Sequence, residues 1–594
     1  MKLSMQFANI ILIATGLTLL SCSKNFLSKQ PQGSLTEESL SNAAGVNSLL
    51  VGAYSALSGQ DDGSNLNGGS AWAVSPDNWI YGSVVGGDAH KGSDAGDQPS
   101  ISVLATFTTD PSISFLNDNW VCRYEGITRC NNVLKLVDKA ADLSSDDALN
   151  IKAQARFLRA HYYFELKKMF DMVPWISDST EDLNQPNNID IWPYIESDFQ
   201  YAYENLPGTQ DEIGRANKWA AAAYLGKTYL YEEKYTAAKA IFDVVISEGT
   251  TTGGITYDLN TEFENNFRPE KESSNPEAIF DVEMAANSGN SSIAQANQGD
   301  MLNFPYGSSP FGCCGFFQPA QDLVNSYRTD ASGLPYLDDY NTYAVKNDMN
   351  ITSAQSFTPD EGNLDPRLDW TVGRRGIPYL DWGLHPGADW IRSQSYGGPY
   401  APKKNVYWQS SASSYYDGSS WAPGSAINVH IIRFADVLLM AAEAEAVLGN
   451  LSQAETLVNR VRTRASNTVG YVYTYLDDSD PTGGFSTTPA ANYVISTYPI
   501  GTFTSKGQAY ALKAIYFERK LELGMEGHRF FDLVRWGVAK SVMDAFFNYE
   551  GRITTDVSGA TFTDPKNNYY PIPQTQIDLT TVNGTKTLTQ NKGY

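Results

Sequence analysis

Hydrophobic and polar positions follow one rhythm at the two ends of the chain and another in its middle. From residue 36 to 250, and again from 428 onward, apolar residues recur every three or four positions, the spacing of helices that bury one face. Thr36 precedes Glu37-Glu38 as an N-cap, and Ala43, Val46, Leu50 and Ala53 to Leu57 continue the stripe. Trp120, Tyr124, Ile127, Asn131 and Leu134 outline one amphipathic helix, and Ala155, Leu158, Tyr162, Leu166 and Met169 its neighbour. Ile195, Phe199, Tyr203 and Leu206 form another, stopped by Pro207-Gly208. Leu225, Gly226, Tyr229, Ala238 and Phe242 carry the Leu-Gly-x2-Tyr and Ala-x3-aromatic spacing of a tetratricopeptide repeat, in which Gly226 and Ala238 let two helices approach. A weaker copy runs from Arg433 to Ala444, turns at Gly449-Asn450-Leu451 and continues through Ala454, Val458 and Arg462. Between them, residues 251–427 lose the period and fill with Gly, Pro, Ser and aromatics; Ala278 to Met284 alone reads clearly as a strand. The pattern predicts a mainly α protein, a tetratricopeptide-like helical-repeat scaffold with a loop-rich region containing short strands.

Two stretches stand out against that frame. Glu518 to Gly537 reads as a helix hairpin, with Gly524 expected to end the first helix in a left-handed conformation and Gly537 to stop the second. Arg519 and Glu522, Glu526 and Arg529, and Asp532 and Arg535 are each three apart, so local ion pairs are expected. Gly59 to Asp110 is rich in Gly, Ser, Asp and Asn and reads as a long irregular surface segment carrying Trp72, Trp79 and Tyr81. Within it Asp61 to Asn67 lacks the closing glutamate of a calcium loop and reads as a solvated turn.

Composition narrows the function. The 43 Lys and Arg against 67 Asp and Glu leave a formal charge of −24, which opposes binding to nucleic acid. No His-Glu-x-x-His, Gly-x-Ser-x-Gly, phosphate loop or Cys-x-x-Cys is present, and the five histidines are scattered. No enzyme, cofactor or metal site is expected. The 35 Tyr and 12 Trp supply flat, half-polar rings of the kind that stack on sugars.

Five cysteines are present. Lys2, an apolar run from Ile10 to Leu20 and Leu19-Leu20-Ser21-Cys22 read as a lipoprotein signal peptide, residues 1–21, with Cys22 becoming the lipidated N-terminus, palmitate among its acyl chains. Residues 22–35 then form a polar tether. Cys122 and Cys130 lie on one predicted helix, roughly 12 Å apart along its axis, and read as buried free thiols. Cys313-Cys314, between Gly312 and Gly315, could be a vicinal disulfide or two reduced thiols.

The run Glu518-Arg519, Glu522-Leu523, Glu526-Gly527-His528-Arg529, Asp532-Leu533 and Arg535-Trp536-Gly537 resembles the C-terminal signature of the SusD/RagB family. These are outer-membrane nutrient-binding lipoproteins. Ala155 to Phe164, Phe170 to Pro174, Asp365-Pro366-Arg367, Tyr570 to Pro573 and Gln590 to Tyr594 resemble other parts of the same family. The resemblance implies an N-terminal SusD-like part at 36–250, a variable binding part at 251–427 and a C-terminal signature part at 428–594. It also implies a non-enzymatic lipoprotein, anchored in the outer membrane and exposed on the cell surface. Such a protein would capture an oligo- or polysaccharide and deliver it to a TonB-dependent, SusC-like transporter. A peptide-binding RagB-like uptake protein and a non-transport tetratricopeptide scaffold of the envelope are the alternatives. Candidate glycan-binding residues are the aromatics of the aperiodic segments, Trp72, Trp79, Trp382, Trp390, Tyr396, Trp408 and Trp421, with Asp77, Asn78, Asp381 and Asp389 beside them to fix hydroxyls. About half of the tryptophans are expected to pack inward as loop anchors.

Overall fold

The computed structural model describes residues 36–61, 64–65, 70–288 and 295–594. The signal peptide, Cys22, the 22–35 tether and the side chains of the Asp61–Asn67 turn lie outside the described residues. Thr36 caps as predicted, accepting the Ser39 N–H at 3.1 Å, and α1 (Ala43–Ser55) follows. The frame continues with α2 (Ser114–Val137) and α3 (Ser145–Phe170). Ser144 caps α3, and acidic Asp146 and Asp147 in its first turn and Lys167 and Lys168 in its last complement the helix dipole. Gly126 is the reason α2 and α3 can touch: a Cβ there would lie 2.5 Å from the Tyr162 ring. Tyr162 in turn donates to Ala53 O at 2.7 Å, tying α1 to the pair.

Next come α4 (Trp192–Asn205), α5 (Lys218–Tyr231) and α6 (Tyr235–Glu248). The repeat signature has the predicted meaning, since a Cβ on Gly226 would come within 2.4 Å of the Phe242 ring. The weaker copy folds as α7 (Phe434–Val447) and α8 (Leu451–Ala465), and α7 packs on α6. The expected strand, Ala278–Val282, pairs antiparallel with Val429–Arg433 at the entrance to α7, so the loop-rich region is tied directly to the second repeat. That region has a separate hydrophobic core built from Phe263, Phe304, Trp370, Tyr379, Tyr407 and neighbours. Cys122 and Cys130 are buried free thiols, and the sulfurs of Cys313 and Cys314 face each other. No helix among the described residues is long and apolar enough to cross a membrane.

The hairpin forms as α9 (Gln508–Leu523) and α10 (Arg529–Arg535), with two differences from the expectation. Gly524 is not left-handed (φ −54°, ψ 133°); the chain reverses instead through Met525 (φ 70°) and Gly527 (φ 76°), while Gly537 (φ 68°) ends α10 as expected. The charges also point inward and find distant partners. Arg519 pairs with Asp436 (2.7 Å) and Asp532 (2.9 Å), and Glu526 pairs with Arg433 (2.8 Å) and Lys404 (2.6 Å); of the three local pairs only Asp532–Arg535 (2.9 Å) forms. The signature therefore encodes a buried network. In it Arg367, Arg433, Arg462, Arg464 and Lys404 are matched by Asp365, Glu277, Glu518, Glu522 and Glu526.

The Gly59–Asp110 segment is the larger correction. All of residues 71–93 except Trp72 and Asp77 are buried, and they run across the hairpin instead of over the surface. A Cβ on Gly82 would fall 1.7 Å from Gly527 O, and one on Gly527 would fall 1.7 Å from Asp77 O. The glycines and serines that suggested a solvated loop are there because two backbones cross in contact. The Gly527 N–H donates to Ser83 Oγ (3.0 Å) and the Met525 N–H to Asp88 Oδ2 (3.2 Å), so the crossing is also hydrogen-bonded.

Candidate functional site

The predicted aromatics separate into anchors and exposed rings. Trp79 is 1% exposed and donates its indole N–H to Gly299 O at 3.0 Å. Trp390, 7% exposed, packs edge-on against Tyr379 and His385. Trp408, 8% exposed, lies between Trp370 and Phe485 with the Arg268 guanidinium 4.6 Å from its ring. These three are core residues and cannot serve as a platform. A tryptophan in an aperiodic, Gly-rich stretch reads the same whether its ring turns in or out, which is why sequence grouped them with the exposed rings.

Several polar candidates are likewise structural. The Asp381 carboxylate is buried and accepts the Gln409 and Ser410 N–H groups at 2.6 and 2.9 Å, fixing the chain after Trp408. Asn78 is buried in a left-handed conformation (φ 53°) and donates to Glu165 Oε2 at 3.0 Å. Asp77 accepts from the Ser75 hydroxyl (2.5 Å) and the Trp79 N–H (3.1 Å); burial pushes its pKa up, as burial and the facing Asp77 carboxyl do for Asp300. Asp389 has an exposed side chain, while its carbonyl accepts the Ser308 N–H at 3.1 Å. Tyr396 lies elsewhere, half-buried, with its hydroxyl 2.9 Å from Ser102 Oγ and the Lys91 ammonium 4.9 Å from its ring.

Exposed rings remain at one hairpin, with half-buried Trp382 nearby. Trp421 projects from the turn between the paired segments Tyr416–Asp417 and Gly424–Ser425 and is 68% exposed. Asp417 shapes that turn by accepting the Ser419 N–H at 2.8 Å. Trp421 stands edge-on to half-buried Trp72, 6.3 Å between centroids and 73° between planes, so the two rings make an angled pair. Trp72 Nε1, itself buried, has no acceptor among the described residues. A second group begins at half-buried Trp382, held by its N–H to Tyr407 O at 2.8 Å. Half-buried Phe311 lies 4.9 Å from it on one side and Tyr407 6.1 Å on the other; Tyr407, 4% exposed, is a core ring like Trp390, and it backs Tyr416, 5.8 Å away, which is 38% exposed and opens the Trp421 hairpin. Phe311, Tyr407 and Tyr416 were not among the predicted residues. Their only signal was aromatic character in a Ser- and Gly-rich stretch, which many core residues share.

Trp382, fixed by its backbone hydrogen bond, and the exposed Trp421 and Tyr416 rings can stack on an apolar face of a ligand. No cluster of three or more His, Cys, Asp or Glu able to hold a metal occurs among the described residues.

A helical-repeat frame presenting aromatic rings from a loop-rich part is the architecture of a ligand-binding protein. The chain belongs to the SusD family: the model of that family matches residues 276–594, more than half of the sequence, and a second model, described as starch-binding associating with outer membrane, matches residues 92–230. SusD-like protein P2 of Formosa agariphila is 24% identical over 554 residues, covering 91% of this chain and 92% of that protein. A SusD-like protein of Bacteroides ovatus is 22% identical over 581 residues, covering 92% and 85%. Among solved structures, a SusD homolog from Bacteroides thetaiotaomicron superposes with a TM-score of 0.66 at 20% identity, covering 94% of this chain and 99% of that one. A laminarin-binding SusD-like protein gives 0.64 at 21%, covering 93% and 100%. Surface glycan-binding protein A of Bacteroides thetaiotaomicron, in complex with laminarihexaose, gives 0.62 at 20%, covering 93% and 99%.

Proposed function

We propose that this protein is a non-catalytic, lipid-anchored glycan binder of the outer-membrane surface that passes an oligo- or polysaccharide to a TonB-dependent, SusC-like transporter. The observation that carries the reading is the angled Trp72–Trp421 pair, with Trp421 in the same hairpin as exposed Tyr416, on a chain whose family includes proteins described as binding laminarin and starch. Sugar rings present apolar C–H faces edged by hydroxyls, so exposed indoles supply the stacking surface; the exposed Asp389 side chain is a polar group able to meet hydroxyls. Trp72, Trp382 and Trp421 are the platform residues in this reading, and Cys22 is the anchor.

Calorimetry of the full chain against soluble laminarin, laminarihexaose, amylose-derived and mannan-derived oligosaccharides tests the ligand. Binding to one glycan class with an unfolding midpoint raised by it is the expected result. Binding only to a peptide mixture would replace the glycan assignment with the peptide-binding one. Membrane fractionation tests the anchor: Cys22→Ala is expected to release a folded protein into the soluble fraction when no transporter is present.

A further inference from the structure

Next to the Trp79 anchor, a cavity of about 60 Å³ lies between the backbone crossing and the loop-rich part, and its walls carry carboxylates and cations together. It has room for about four water-sized groups, which suits an ion that keeps part of its hydration shell and is too small for a sugar residue. The cations of the lining are already committed. Lys403 donates to the Asp369 and Pro378 carbonyls (2.5 and 2.8 Å), and Lys404 to Glu526 (2.6 Å) and the Gly524 carbonyl (2.8 Å). His430 is held by Asp281 (2.7 Å) and the Asn266 carbonyl. Asp77 and Asp300, which face each other on the cavity wall, have neutral donors instead. The Ser75 hydroxyl (2.5 Å) and the Trp79 N–H (3.1 Å) reach Asp77, and the Asn303 and Asn297 amides (3.0 and 2.8 Å) reach Asp300.

A buried amide oxygen in the same cavity points the same way. Asn405 lines it, is 8% exposed, and donates its N–H2 group to Asn303 O at 2.7 Å. A carbonyl can only accept, so the amide cannot be turned over, and its Oδ1 has no donor among the described residues. Asn303 repeats the arrangement: it is fully buried, its N–H2 group is fixed on Asp300 Oδ1, and its own Oδ1 has no donor either. Burying an oxygen without a partner is costly, and these oxygens surround two carboxylates that repel each other. The group that matches such a lining brings positive charge and takes oxygen ligands.

We propose that Asp77, Asp300 and Asn405 Oδ1 bind a calcium ion whose remaining ligands are waters held in the cavity. Calcium takes carboxylates, amide carbonyls and water in an irregular shell of about six to eight oxygens, whereas magnesium demands near-octahedral geometry and gives up its waters reluctantly. The ion joins three segments that are distant in sequence: the 71–93 crossing through Asp77, the 297–303 turn through Asp300, and the loop that leads into Tyr407 through Asn405. Its role is to hold the loop-rich part against the crossing. The inference is independent of the glycan reading above.

Terbium luminescence and thermal unfolding of the chelator-treated full chain test the site. Tb³⁺ shares calcium's preference for oxygen ligands, and the Trp79 indole, bonded to Gly299 O beside Asp300, is placed to sensitise its emission. Emission that Ca²⁺ displaces and Mg²⁺ displaces far less is expected, together with an unfolding midpoint raised by Ca²⁺. Asp300→Asn keeps the shape and removes one ligand charge, so it is expected to lose the displaceable emission and to bind Ca²⁺ at least about ten-fold more weakly. The sign of its stability effect should also invert: in chelator it unfolds at or above the wild-type midpoint, because the repulsion with Asp77 is relieved, and in calcium it unfolds below it. Asp77→Asn is expected to behave alike, and either variant decides if the other does not fold. Surface carboxylates of a chain with a formal charge of −24 bind some Tb³⁺ in every variant, so the difference from wild type is what is read. Equal emission and equal calcium-dependent midpoints in wild type and variant would overturn the proposal and leave the two carboxyls sharing a proton.

Discussion

Glu522 is where the family signature meets the rest of the molecule, and Glu522→Gln tests what the signature does. Its carboxylate is fully buried and lies 2.9 Å from Arg367 and 2.7 Å from Arg433, with Arg464 also bonded to it. Burial alone would raise its pKa, but Arg464, Arg433 and Arg367 hold it well below the usual carboxylate range. Glutamine has the same shape, so nothing is lost in packing; what changes is the charge balance. Five cations now face five carboxylates, Arg367, Arg433, Arg462, Arg464 and Lys404 against Asp365, Glu277, Glu518, Glu522 and Glu526. The amide leaves one uncompensated positive charge in the interior and turns an N–H2 group toward guanidinium donors. Removing one partner from a buried pair costs about 3–5 kcal/mol, a large share of a stability margin of about 5–15 kcal/mol. Equilibrium denaturation in urea, monitored by near-ultraviolet circular dichroism, should show that loss as a lower midpoint with an unchanged slope. A loss below about 1 kcal/mol would refute the reasoning, because it would place the pair in the range of solvent-screened surface pairs.

Two further outcomes are expected. Gly82→Ala should cost about 3 kcal/mol or more, since its Cβ would lie 1.7 Å from the Gly527 carbonyl oxygen and neither backbone has room to yield, whereas Gly52→Ala in α1, where a Cβ meets nothing within 4 Å, should stabilise by up to about 1 kcal/mol; thermal unfolding of the two variants decides. Stability should fall as pH rises from about 6.5 to 9. Burial opposes the charge on His430, but Asp281 at 2.7 Å and the Asn266 carbonyl raise its pKa to about 9. A histidine raised in the folded state contributes fully below its unfolded value near 6.5 and loses that contribution through about 9, here roughly 3 kcal/mol. Glu272, raised to about 9 by burial and by Glu283, acts in the same direction. Denaturation across this range should show the decline, and His430→Gln should flatten it.

The helical frame was legible in the sequence because each helix carries its own period: the stripes from Trp120 to Leu134 and from Leu225 to Phe242 need no distant residue to be recognised. The hairpin was legible as an element and misread as a set of contacts. Arg519 and Glu526 look like members of local pairs, yet their partners Asp436, Arg433 and Lys404 come from far along the chain. The segment around Gly82 was misread because glycine and serine mark either solvated turns or tight backbone crossings, and only Gly527, far along the sequence, decides between them. The candidate site was the least legible. Trp79 and Trp421 both stand in aperiodic, Gly- and Ser-rich stretches, and only the tertiary position of the turn leaves one 1% and the other 68% exposed. Local sequence fixes the type of ring and its flanking turn; which way the ring faces is set by packing between segments.

The central claim, that Trp421 is platform and Trp79 is anchor, is tested most directly by calorimetric titration of Trp421→Ala and Trp79→Ala with the same glycan. Trp421→Ala should lose about 2 kcal/mol of binding, roughly a thirty-fold weaker Kd, with an unchanged unfolding midpoint, because the ring is largely in solvent. Trp79→Ala should bind with wild-type affinity while folded and lose about 3–5 kcal/mol of stability. Wild-type affinity in Trp421→Ala would contradict the account and move the binding face away from this hairpin.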